Sequence, residues 1–137
     1  MKKAVLDTGP IVALFNKNDI YHSLAVDFIK NFQGTLFSSL AIFTEVCYLL
    51  DFSIRAQRDF LKWIEMGAVK TIELIPDDYC RISELMDKYQ RLPMDFADGT
   101  IVAICEKIET KEIVTVDKDF EIYRYKNKGV FKNLFPA

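Results

Sequence analysis

Strand-like runs and helical segments alternate along the whole chain, and two of the strands end in an aspartate. Residues 3–6 are a short apolar run closed by Asp7, and residues 112–116 are a β-branched run closed by Asp117. Residues 35–38 and 69–75 also have strand character, and a last strand falls near Val130. Helical spacing fills the intervals. Pro10 opens a short helix to Phe15 at the first helical position, where its missing N–H costs nothing. Asn18 and Asp19 turn into a second helix with Leu24, Phe28, Ile29 and Phe32 on one face, stopped by Gly34. Further helices cover residues 40–52, capped by Ser38 or Ser39, then 55–66, 76–90 and 96–108. This alternation specifies an α/β sandwich around a mostly parallel sheet. Such sheets bind ligands beyond the carboxyl ends of their strands, the edge at which Asp7 and Asp117 emerge.

The 137 residues make one domain, 1–137, and half of them are apolar, enough for a real core and too many for a disordered tail. Cys47, Cys80 and Cys105 are odd in number and contain no CxxC pair, so they read as free thiols in a reducing, cytoplasmic setting without structural zinc. Lys2 and Lys3 before an apolar stretch imitate a signal peptide, but Asp7 interrupts it. No apolar run reaches the roughly 18 residues of a membrane span, so no membrane partner is expected. The net charge of −2 is awkward for a nucleic-acid binder, whose phosphate contacts come from Lys and Arg.

Four carboxylates stand out. Asp7 and Asp117 share one sheet edge. Glu45 lies in Leu40-Ala-Ile-Phe-Thr-Glu-Val-Cys-Tyr-Leu-Leu50, an apolar helix with no Lys or Arg at i±3 or i±4. A helix apolar all round is expected to be buried, and an unpaired carboxylate there costs several kcal/mol. Asp98 sits in the first turn of another apolar helix, with Asp95 three residues earlier as its N-cap. Taken singly, each acid has an ordinary structural reading. Converging, they would repel one another, and a hard divalent cation such as Mg²⁺ or Mn²⁺ is the natural compensation. A carboxylate cage that keeps waters suits phosphodiester hydrolysis, and the cation offsets the phosphate charge that an acidic protein would repel.

The segments Val5-Leu-Asp-Thr-Gly-Pro-Ile-Val-Ala-Leu14, Thr44-Glu-Val46, Leu92-Pro-Met-Asp-Phe-Ala-Asp-Gly-Thr-Ile-Val-Ala103 and Val114-Thr-Val-Asp-Lys-Asp-Phe120 resemble the PIN-domain ribonucleases, including VapC-type toxins. The resemblance implies a three-layer α/β/α sandwich with a five-stranded parallel sheet. It implies that Asp7, Glu45, Asp98 and Asp117 hold Mg²⁺ or Mn²⁺, that Thr8 and Thr115 orient them, and that Asp95 is an additional acid. It further implies metal-dependent cleavage of single-stranded RNA by metal-activated water, leaving a 5′-phosphate, and a homodimer. A toxin role would add an antitoxin protein as partner. Gly99 stands where the family more usually has alanine, which weakens the helix start.

Lys118, Arg124 and Lys126 interleave with Phe120, Tyr123, Tyr125 and Phe131, which reads as an RNA-binding surface with stacking aromatics or as a solvated edge strand. The aromatics of the 40–52 helix read as core, or as a dimer seam. His22, the one histidine, reads as a surface or capping residue. Asp7-Thr8-Gly9 also matches the aspartic-protease triplet, but those enzymes are all-β. Gly9 occupies the position where a haloacid-dehalogenase-type phosphatase needs a second aspartate. The remaining alternative is a non-catalytic PIN-like module that binds RNA or protein.

Overall fold

Five parallel strands carry the molecule, and the first in sequence lies in the middle. The computed structural model describes residues 2–136. In chain order the elements are β1 (Lys3–Leu6), α1 (Thr8–Phe15), α2 (His22–Asn31), β2 (Thr35–Ser38), α3 (Leu40–Leu49), α4 (Ile54–Glu65), β3 (Lys70–Thr71), α5 (Pro76–Lys88), α6 (Phe96–Ile108), β4 (Glu112–Val114), a 3₁₀ turn (Lys118–Glu121), β5 (Arg124–Tyr125), β6 (Gly129–Val130) and β7 (Lys132–Asn133). The main sheet runs β3-β2-β1-β4-β7, and β5 and β6 form a separate antiparallel hairpin. Val5 pairs with Phe37 on one side and Ile113 on the other.

This order locates the site. The chain moves outward from β1 through β2 to β3, then crosses back to add β4 on the other side of β1. With right-handed crossovers, α1–α4 cover one face and α5 and α6 the other, giving the three layers. The direction of winding reverses between β1 and β4, and the crevice at the carboxyl ends of those strands is where α/β sheets bind ligands. Asp7 follows β1 directly, and Asp117 follows β4 by two residues.

Local chemistry explains the elements. Ala4, Val5 and Leu6 are all buried, as expected of a strand covered on both faces. Ser39 caps α3 by accepting the Ile42 N–H at 3.2 Å, and Asp95 caps α6 by accepting the Asp98 N–H at 2.8 Å. Gly99 has a packing reason. A Cβ there would stand 2.7 Å from Cγ2 of the buried Ile82, so the glycine lets α6 lie close against α5.

Several expectations need correction. Pro10 is the third helical residue of α1, because Asp7 stands at the N-cap position, without a side-chain cap bond, and Thr8 begins the helix; its absent N–H is still one that needs no partner. The 69–75 strand contracts to Lys70–Thr71 at the sheet edge. The fifth strand is Lys132–Asn133, while Val130 belongs to the hairpin. Helix α3 is not buried all round: Leu40 is 71% and Tyr48 72% exposed, so apolar composition here reflects an uncovered face as well as a core. Phe43 is core, but Tyr48 and Phe52 are not. No helix among the described residues is long and apolar enough to cross a membrane.

Candidate active site

Asp7 leaves β1 with its backbone N–H bonded to Val114 O at 2.9 Å, continuing the β1–β4 ladder by one rung. Asp7 is 5% exposed, and its carboxylate accepts a hydrogen bond from Thr115 Oγ1 at 2.6 Å. Burial, with the charges of Asp117 and Glu45, pushes its pKa up to about 6, against the opposing pull of Thr115 and the Thr8 backbone amide. Thr115 Oγ1 also accepts the Asp117 N–H at 2.9 Å, and Asp117 Oδ1 accepts the Asp119 N–H at 2.9 Å in a tight turn. A Cβ on Gly9 would run into Val116 Cγ2. Only glycine lets the β1–α1 turn press this closely against the segment that carries Asp117.

Glu45 is half-buried in the second turn of α3, and Asp98 is half-buried in the first turn of α6. The two helix starts are joined by a 2.9 Å hydrogen bond between the buried hydroxyls of Ser39 and Thr100. Asp98 Oδ2 accepts the Tyr123 hydroxyl at 3.2 Å. Burial first, then the charges of Asp95, Asp7 and Asp117, push the Asp98 pKa up to about 7. Asp7, Glu45, Asp98 and Asp117 line one open cleft of about 590 Å³ together with Thr8 and Asp95.

Thr8 departs from its expected role. Among the described residues its buried hydroxyl has no hydrogen-bond partner, and the backbone amide is what favours the Asp7 carboxylate. The stacking surface is overturned: Phe120, Tyr123, Tyr125 and Phe131 are all buried, so no base can lie on them. Arg124 Nη1 donates to the carbonyls of residues 121, 122 and 123, which leaves this side chain pinned to its own turn. Lys126 lies over the Tyr125 ring, 5.4 Å from its centroid, and Lys118 stands exposed beside Asp117. His22 is the first residue of α2 and not its cap, which is Tyr21; its Nδ1 instead donates to Ala13 O in α1 at 2.8 Å.

Four residues at the site escape a reading of the sequence alone. Asp19, read as a turn residue, accepts the Tyr21 N–H at 2.8 Å and also lines the cleft, as does Tyr21. Asn133 accepts the Thr115 N–H at 3.1 Å and donates to Thr115 O at 2.9 Å, holding the threonine from the neighbouring strand. Tyr123 was legible only as one aromatic among many.

The donor set fits a hard divalent cation. Every candidate ligand is a carboxylate, and the pKa values of Asp7 and Asp98 are raised first by burial and then by neighbouring acids, a penalty on ionisation that a cation offsets. Among the described residues no three acids stand close enough to enclose an ion directly. That spacing suits an ion that keeps several waters, as Mg²⁺ does with one or two carboxylates.

The family model of the PIN domain matches residues 4–125. The chain belongs to the PIN-domain family. Solved structures agree with this PIN fold. VapC20 of Mycobacterium tuberculosis, a Sarcin-Ricin loop cleaving toxin, matches with a TM-score of 0.78 at 20% identity, over 88% of this chain and 94% of that one. A toxin–antitoxin complex from Klebsiella pneumoniae gives a TM-score of 0.64 at 17% identity, over 84% and 87%. VapBC2 of Rickettsia felis, bound to a DNA fragment from its promoter, gives 0.65 at 18%, over 96% and 98%. No curated protein sequence matches the chain.

Proposed function

We propose that this PIN-domain chain is a divalent-metal-dependent endoribonuclease, a single catalytic domain that cuts single-stranded RNA at the acidic cleft. The observation that carries the reading is the grouping of Asp7, Glu45, Asp98 and Asp117 at the crevice between β1 and β4. These four would hold Mg²⁺ or Mn²⁺, with Thr115, Asp95 and the Thr8 amide setting their orientation. When bound, such an ion supplies a lowered pKa for the attacking water and positive charge for the phosphoryl oxygens. The protein's own part is placement. Thr115 fixes Asp7 and the start of the Asp117 turn, while the caps at Ser39 and Asp95 fix the helices that present Glu45 and Asp98. Lys118, exposed and next in sequence to Asp117, is the basic side chain assigned to meet the RNA backbone, while Lys126 lies over the Tyr125 ring on the hairpin.

The similarity to VapC20 and to two toxin–antitoxin assemblies supports a toxin role with an antitoxin partner. The uncovered side chains of Leu40, Tyr48, Leu49, Phe52 and Ile54 offer apolar surface that fits a protein partner, the antitoxin or a second copy in a homodimer. A non-catalytic binding module is disfavoured, because a scaffold gains nothing from crowding acids that raise one another's pKa.

Purified chain incubated with a panel of single-stranded RNAs and Mn²⁺ tests the reading. Cleavage is expected for the unmutated protein and is expected to vanish with EDTA, Asp7→Asn or Asp98→Asn. Equal cutting by unmutated and Asp98→Asn protein would place the activity in a contaminant.

A further inference from the structure

We propose that Tyr123 is a positioning residue for Asp98, and that its hydroxyl strengthens divalent-cation binding at the cleft by holding one carboxylate oxygen in place; this rests on the function proposed above. The geometry is specific. Tyr123 is fully buried, and its ring meets Tyr89 and Phe120 edge to face with both centroids at 5.0 Å. Rings on two sides leave the phenol little freedom, and its oxygen lies 3.2 Å from Asp98 Oδ2. Asp98 needs such a tether. It is half-buried in a first helical turn, facing Asp95, Asp7 and Asp117, and an untethered carboxylate there would swing toward water and away from its like charges.

The backbone around Tyr123 is fixed by the same two helices. Tyr89 Oη, at the end of α5, accepts the N–H of Arg124 at 3.0 Å. Arg81 on α5 grips Glu106 on α6 with both Nε and Nη2, at 2.9 and 3.0 Å. Glu106 Oε2 accepts the Lys126 N–H at 2.8 Å, and Arg81 Nη2 donates to Asn127 at 3.1 Å. The β5–β6 hairpin is therefore bolted to α6, the helix that carries Asp98. The Tyr123–Asp98 distance is set from both ends. The competing view is a core tyrosine that satisfies its hydroxyl on the nearest acceptor and has no bearing on the ion.

Mn²⁺ titration of the full chain by calorimetry separates the two. Tyr123→Phe deletes one oxygen and leaves the ring packing, and circular dichroism checks that the variant is folded before titration. The expected result is a Kd for Mn²⁺ weakened about 10–100-fold, the usual penalty for losing a group that orients a ligand. In an Asp98→Asn background the same substitution is expected to bring no further loss. An unchanged Kd for folded Tyr123→Phe, or an equal loss in both backgrounds, overturns the proposal and leaves the nuclease reading standing. Mn²⁺ binding by the unmutated chain that is absent, or indifferent to Asp98→Asn, overturns both.

Discussion

Thr115 donates a hydrogen bond from its hydroxyl to Asp7 Oδ2 at 2.6 Å and, with the same oxygen, accepts the backbone N–H of Asp117 at 2.9 Å. One small side chain thereby locks two strand ends into a common frame, and Asn133 locks the threonine in turn. Thr115→Val keeps the shape and removes both bonds. It is expected to destabilise the metal-free chain by about 1–3 kcal/mol, since the Asp117 N–H and the Asp7 carboxyl both lose a partner. Urea unfolding in EDTA measures this, and an unchanged midpoint would show that water replaces the hydroxyl.

Stability of the metal-free chain should depend on pH in a defined direction. Asp7 rises from 3.8 to about 6 on folding and Asp98 to about 7. A raised carboxyl pKa means that the folded state prefers the protonated form. Their contribution is fully present below the ordinary carboxylate pKa and is lost as pH climbs through 6 and 7. The Asp7 part is on the order of 3 kcal/mol in all, at about 1.4 kcal/mol per pKa unit, and about half of it is lost between pH 5 and 8. Chemical unfolding across that window should show the decline in EDTA and a flatter profile for Asp7→Asn. Excess Mn²⁺ at pH 8 should restore the lost stability.

Glu45→Gln should act in opposite directions with and without the ion. Without it, one of the charges that raises Asp7 disappears, and the thermal midpoint should rise by about 3 °C, equivalent to roughly 1 kcal/mol. With saturating Mn²⁺ the variant should gain less from the ion than the unmutated chain does. A lower midpoint in EDTA would make Glu45 a structural residue.

Gly99→Ala sets helix propensity against packing. Alanine gains about 1 kcal/mol in a helix interior, but its Cβ would stand 2.7 Å from Ile82 Cγ2. Overpacking a filled core costs about 1–3 kcal/mol, so net destabilisation is expected. Ile82→Leu removes the branch at Cβ and should recover part of the loss in the double variant. A more stable single variant would show that α5 shifts freely.

The central strand and the helix carrying Asp98 were legible because burial and capping act over a few neighbouring residues. The run Ala4-Val5-Leu6 has little choice but an interior strand, and Asp95 begins α6 where its cap chemistry demands. The edges were not legible. Residues 69–75 alternate well enough for a strand, yet β3 pairs with β2 through only Phe37↔Lys70 and Ser38↔Thr71, so pairing ends where the neighbour does. Lys126 and Asn127 adopt positive φ without a glycine, which hides the hairpin turn and moves the last sheet strand to Lys132. The burial argument for Glu45 presumed that an apolar helix is wrapped on every side, whereas α3 leaves one flank to solvent. The acids themselves were visible, but Tyr123 and Asn133 were not, because their roles come from contacts across 25 and 18 residues of chain.

The two outermost strands, β3 and β7, are each two residues long, and both are exposed, with Lys70 and Lys132 on them. A foreign backbone looking for a ladder to extend finds only a stub with a charge on it, at either border of the sheet. Large apolar areas remain uncovered on α3, so the protein is open to sticking through side chains while resisting growth into fibrils. Overproduced, it should gather into clumps that dissolve in mild detergent rather than into amyloid-like material.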